Sequence, residues 1–124
     1  MPLKIIKGNN YCSIVIDSKN ISNEITAKLN LNLDNLIKNT NKNIIIDLKS
    51  CLNISGIDST DVFVKHYYGC RSLNGSPIVI SPNKSITDFI LKNSGDAEIL
   101  ITKTYKEAFD LIIIEEIENE ISVS

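Results

Sequence analysis

Tryptophan is absent from this chain, histidine occurs once, and no apolar stretch is long enough to cross a bilayer. The longest uninterrupted apolar run, Leu111–Ile114, falls far short of the roughly twenty residues a membrane helix requires. The N-terminal residues Met1–Lys7 include a lysine but no apolar core of signal-peptide length, so no export is expected and the expected location is cytoplasmic. Charge of one sign is lacking too. Lys and Arg number 13 against 15 Asp and Glu, a net charge of -2, and no segment gathers the cations on one face. Nucleic acid and anionic membrane both demand such a basic footprint, so neither is an expected partner. Cys12, Cys51 and Cys70 are odd in number and widely spaced, with no CxxC or Cys/His ligand pattern. They are expected to be reduced and mostly buried thiols, and neither metal nor other cofactor is expected.

Catalytic templates are missing as well. The chain has no GxGxxG, no P-loop, no HExxH and no GxSxG. A Ser/His/Asp arrangement would have to use His66, the one histidine. That residue falls within the apolar arc of its helix, where a packed imidazole with one satisfied ring nitrogen is expected rather than a general base. The chain does not read as an enzyme.

What is present is ordinary globular material: 124 residues with 43% hydrophobic side chains, enough for one domain, 1–124, that stands without staples. Two β-patterned runs, Leu3–Lys7 and Tyr11–Asp17, flank Gly8-Asn9-Asn10, which tolerates the positive φ of a hairpin turn. Ser22 or Asn23 can cap a helix whose Ile25, Leu29, Leu33, Leu36 and Ile37 share one stripe. Asn43–Leu48 reads as a strand buried on both faces. Asp58 and Ser59 look like the cap of a second helix, with Val62, Phe63, His66, Tyr67, Cys70 and Leu73 on one arc and Asn74-Gly75 as its stop. A strand at Pro77–Ser81 follows, then a helix opening at Pro82 with Ile86, Phe89 and Ile90 on its buried face, ended by Ser94-Gly95. The last strand is Glu98–Thr102, and Thr104-Tyr-Lys-Glu107 reads as a capping box for the final helix. The order ββαβαβαβα predicts an α/β fold: a mixed, mostly parallel sheet of about five strands with four helices, mainly on one side.

The informative stretch is Asp47–Asp61, DLKSCLNISGIDSTD. A buried strand ends in Asp47-Leu48, and Ile57-Asp58-Ser59-Thr60 leads into a helix. This resembles the STAS domain, named for sulfate transporters and anti-sigma factor antagonists, whose members carry an Asp-Leu strand end and then an apolar residue with Asp-Ser-Ser-Gly or Asp-Ser-Thr-Gly. The likeness extends over Ile16 to Ala27, Leu73-Asn74-Gly75, Ile78-Val-Ile-Ser-Pro82, Leu91 to Gly95 and Tyr105–Phe109. Asp61 stands where the family usually has Gly, and the loop from Lys49 to Gly56 is longer than usual.

The resemblance implies a regulator similar to a stand-alone bacterial anti-sigma factor antagonist, binding an anti-sigma factor or serine kinase and switched by phosphorylation of Ser59. Ser59 would then lie at a helix N-terminus, where free N–H groups and the dipole favour a phosphate. Taken as a plain cap, the same Ser59 would need no phosphate. The docking surface is expected to combine Asp58, Thr60, Asp61, Val64, Lys65 and Tyr68, with Arg71 on the same exposed side of the helix. An accessory subunit of a transporter or signalling scaffold would keep the fold and dispense with the phosphate. A receiver domain phosphorylated on Asp47 is the reading from another class, but it requires an acidic pair after the first strand, where Lys7-Gly8-Asn9-Asn10 stands. On the final helix, Ile113, Ile114, Ile117 and Ile121 form a second arc, turned away from Tyr105, Ala108, Phe109 and Ile112, that could support a weak homodimer.

Overall fold

A computed structural model describes residues 2–55 and 61–123 of the chain. β1 (Leu3–Lys7) and β2 (Cys12–Ile16) form the expected antiparallel hairpin, closed by the Gly8 N–H donating to the Tyr11 carbonyl at 2.9 Å. Then follow β3 (Asn20–Ile21), α1 (Asn23–Lys38), β4 (Ile44–Asp47), β5 (Asn53–Ile54), α2 (Asp61–Ser72), β6 (Pro77–Ile80), α3 (Lys84–Lys92), β7 (Leu100–Thr102) and α4 (Tyr105–Val123). The main sheet has the order β1-β2-β4-β6-β7, and every neighbour pair after the hairpin is parallel. The mixed, mostly parallel five-stranded sheet with four helices read from the sequence is the fold found.

Alternation along the strands divides the core in two. Ile14, Ile16, Ile44, Ile46 and Val79 point to the side carrying α1, α2 and α3, and Ile25, Leu29, Leu33, Val62, Phe63, Ile86 and Ile90 close over them. Ile45, Ile78 and Ile80 point to the other side, where Ala108 and Ile112 of α4 cover them. The central strands β4 and β6 are buried at every position, which is why they read as unbroken apolar runs. Each buried Ile or Leu contributes roughly 1.5–3 kcal/mol relative to exposure.

Caps fix the helix starts. Ser22 accepts from the Ile25 N–H at 3.4 Å, and the Thr104 hydroxyl accepts from the Glu107 N–H at 3.2 Å while contacting the Glu107 carboxylate. α3 differs from expectation: it is capped by Asn83, whose side chain accepts from Ile86 N–H at 3.1 Å, so Pro82 precedes the cap and does not open the helix. Phe89 is not on the buried face of α3 but 36% exposed, because Ile86 and Ile90 alone fill the gap over the sheet. At the end of α2 Asn74 takes a φ of 60°, and Gly75 turns where an added Cβ would lie 1.9 Å from the Lys42 carbonyl oxygen.

Two features had no local signature. β3 and β5 pair in parallel as a two-stranded ladder, with Asn20 opposite Asn53 and Ile21 opposite Ile54. Asn43 is a buried hub whose side chain donates to the Asn10 carbonyl and to Glu116, and accepts from the Ser76 N–H. It ties the hairpin turn, the start of β6 and α4 together.

Candidate functional site

The burial of Val62 and Phe63 sets the rotation of α2 and so decides which of its side chains face outward. Asp61 lies exposed in the first turn, and Lys65, one turn on, reaches across to pair with Asp34 of α1. Between the two helices runs an open groove of about 410 Å³, lined by Asn23, Thr26, Ala27, Asn30, Asp61, Val62 and Lys65. Further along, Tyr68 is 53% exposed and meets Tyr67 edge-on, with ring centroids 5.0 Å apart. Asp61, Lys65 and Tyr68 therefore share the outer side of α2.

Val64 is only half-exposed and packs against the core, so its contribution to any docking surface is partial. Arg71 departs from expectation altogether. It turns towards α4 and binds the Glu115 carboxylate at 2.7 Å, leaving little of its guanidinium to meet a partner. Asp58, Ser59 and Thr60 lie outside the described residues. The segment before them is anchored at Ser55, whose N–H donates to the Ile21 carbonyl at 2.9 Å and whose hydroxyl contacts the Asn20 carboxamide.

A second polar cluster, which no local pattern announces, lies under the start of α4. The Tyr105 hydroxyl donates to Asp47 at 2.8 Å and therefore accepts from Ser13 in their 2.6 Å contact. Asp47, 3% exposed, also accepts from the Lys49 backbone N–H at 2.9 Å, and the Lys49 ammonium lies 3.7 Å from its carboxylate and 4.6 Å from the Tyr105 ring centre. Burial pushes the Tyr105 phenol up to about 12, with Asp47 adding to the shift and Ser13 opposing it. A receiver needs its phosphoacceptor Asp open to solvent beside further carboxylates. This Asp is closed in, and among the described residues no group of three metal-binding side chains occurs.

The remaining chemistry-bearing groups are packed. His66 is fully buried, its Nε2–H donating to the Ile44 carbonyl at 2.7 Å, and burial holds its pKa down at about 4 against the opposing effect of that bond. The three thiols are buried and unpaired. Desolvation raises Cys51 to about 11 and Cys70 to about 12, so neither is a thiolate near neutral pH. No helix among the described residues is long and apolar enough to cross a membrane.

An antiparallel hairpin feeding parallel crossovers, with three helices on one face of the sheet and the last on the other, defines the SpoIIAA-like, STAS-type fold. Solved structures that share it include the anti-sigma factor antagonist SpoIIAA in its unphosphorylated form, with a TM-score of 0.70 at 10% identity over 89% of this chain and 96% of that one. The Bacillus cell fate determinant SpoIIAA in its phosphorylated form gives 0.66 at 12%, over 89% and 98%. A candidate anti-sigma factor antagonist from Thermotoga maritima gives 0.70 at 18%, over 90% and 92%. No family model matches the sequence, and no curated protein matches it significantly. The resemblance read from the sequence is thus borne out at the level of the fold.

Proposed function

We propose that this chain is a protein-binding regulator of the anti-sigma factor antagonist type, acting by association rather than by catalysis. The observation that carries this reading is the outer side of α2. Asp61 and Lys65 border the α1–α2 groove there, with Tyr68 exposed further along the same side, directly after the segment that holds Asp58, Ser59 and Thr60, on a SpoIIAA-like framework. The partner is an anti-sigma factor or serine kinase, and Ser59 is the hydroxyl through which it modifies the surface. A phosphate adds about 1.5 to 2 negative charges, which would be costly to desolvate in an interface and need not disturb the core.

Asp61 tunes this switch. A phosphate on Ser59, taken as roughly 6 Å from Asp61, would be repelled by about 1–1.5 kcal/mol in a water-like dielectric, against about 0.3–1 kcal/mol that a helix dipole would return. Modification is therefore slow, and Asp61→Gly should speed it. The test is affinity capture from native lysate with wild type and Ser59→Asp, followed by phosphosite mapping with the captured kinase and ATP. Label on Ser59 and loss of the partner by Ser59→Asp support the switch. Label on Ser55, or none while binding persists, leaves a plain binding module. Tyr68→Ala should weaken partner binding about tenfold or more, as loss of an aromatic anchor does, with a nearly unchanged melting temperature.

A further inference from the structure

α4 has two apolar sides where one would suffice to hold it on the sheet. Ala108 and Ile112 are buried, but Ile113, Ile114, Ile117 and Ile121 are each at least 50% exposed. Their spacing runs along one strip of a helix. Single exposed isoleucines are unremarkable, whereas four on one face form a patch that ordinarily has a partner. At its upstream end the strip opens into a groove of about 420 Å³ bordered by Gly8, Tyr11, Phe109 and Ile113, room for one large apolar side chain.

Charge narrows what fits there. All 13 Lys and Arg residues fall at or before Lys106, while six of the 15 acidic residues, Glu107, Asp110, Glu115, Glu116, Glu118 and Glu120, come after it. Glu115 and Glu116 turn inward to Arg71 and Asn43, but Asp110 and Glu120 are exposed on the rim of the strip. A second copy laid strip on strip would set these acids against their own counterparts. Lys106, the last cation in the sequence, already pairs with Asp110.

We infer that this face of α4 is a docking site for a basic amphipathic helix of another protein. The apolar side of that helix would lie along Ile113, Ile117 and Ile121, and its Lys or Arg flanks would meet the acidic rim. The site is on the opposite side of the sheet from the outer face of α2, so it does not depend on the switch proposed above.

The test uses the full chain and two helical peptides with the same leucine face, one flanked by lysine and the other by glutamate, titrated by fluorescence anisotropy. The lysine peptide should bind at least about tenfold tighter than the glutamate peptide, and should weaken as salt rises from roughly 0.05 to 0.5 M. Ile117→Asp should reduce its affinity about tenfold or more, whereas Tyr68→Ala should not change it. Equal affinity of the two peptides, or no binding of the lysine peptide, overturns the proposal, and both outcomes are read on the wild-type chain. Sedimentation showing a dimer that Ile117→Asp dissolves would assign the face to a second copy instead.

Discussion

The imidazole of His66 sits where a proton is costly. Its Nε2–H is committed to the Ile44 carbonyl, so a second proton would go to Nδ1, a buried atom with no hydrogen-bond partner. The folded state therefore holds the ring neutral down to about pH 4, while the unfolded chain binds a proton near 6.5. Because the folded value is the lower one, stability is undiminished above about pH 6.5 and falls as the pH drops through 4, by an amount on the order of 3 kcal/mol. Urea titrations at stepped pH should show this loss, and His66→Gln, which cannot titrate, should flatten the curve between these limits. Tyr105 is constrained in the opposite sense. Its phenol is raised to about 12, so the stability it lends is full below pH 10 and is lost as the pH climbs through 12. Tyr105→Phe removes one donor from a buried carboxylate and should cost about 1–3 kcal/mol, read as a lower urea midpoint.

At the level of the element, the order of the main strands and helices was legible because each carried its own period and two of the helices carried the cap expected of them. The stripe of α1, the unbroken strands β4 and β6, and the Thr104-Glu107 box are local patterns, and local patterns survive in a sequence read alone. The β3–β5 ladder left no such trace, since two residues are too few to show alternation. The network of Ser13, Asp47 and Tyr105 joins positions 92 and 58 residues apart, which no spacing rule reaches. Arg71 was misplaced for a related reason: helical phase says which way a side chain leaves α2, but not that a long one can reach round to α4. Helical phase did place Asp61, Lys65 and Tyr68 on the outer side of α2, whereas Ser59, named by resemblance to a motif, lies outside the described residues. Gly75 offers a test at this scale. An added methyl group would meet the Lys42 backbone oxygen rather than a yielding side-chain tip. Gly75→Ala should therefore cost about 1–3 kcal/mol by overpacking, measured by thermal or urea unfolding.

Over the whole molecule, the two faces of the sheet are joined by a clasp between helices that do not share a core. α2 packs with α1 over one face and α4 covers the other, yet Arg71 reaches Glu115 at 2.7 Å, and Asn119 donates to the Asn74 carbonyl at 2.9 Å. The ion pair is largely withdrawn from water, with side chains 33% and 20% exposed, and the second oxygen of Glu115 is buried without a hydrogen-bond partner. Removing the arginine would leave that carboxylate half-buried and unanswered, so Arg71→Met should cost about 1–3 kcal/mol. The surface pair of Lys84 and Asp88, 86% and 60% exposed, provides the contrast. Lys84→Met should cost at most about 1 kcal/mol, because water already screens that pair. The double change Arg71→Met with Glu115→Met removes both charges and should recover much of the loss, since two apolar side chains can fill the same space. A double-mutant cycle by urea unfolding reads the coupling directly. Coupling near zero would mean that the Arg71–Glu115 pair contributes nothing to the position of α4, which Ala108, Ile112, Tyr105 and the Asn43–Glu116 hydrogen bond would hold without it.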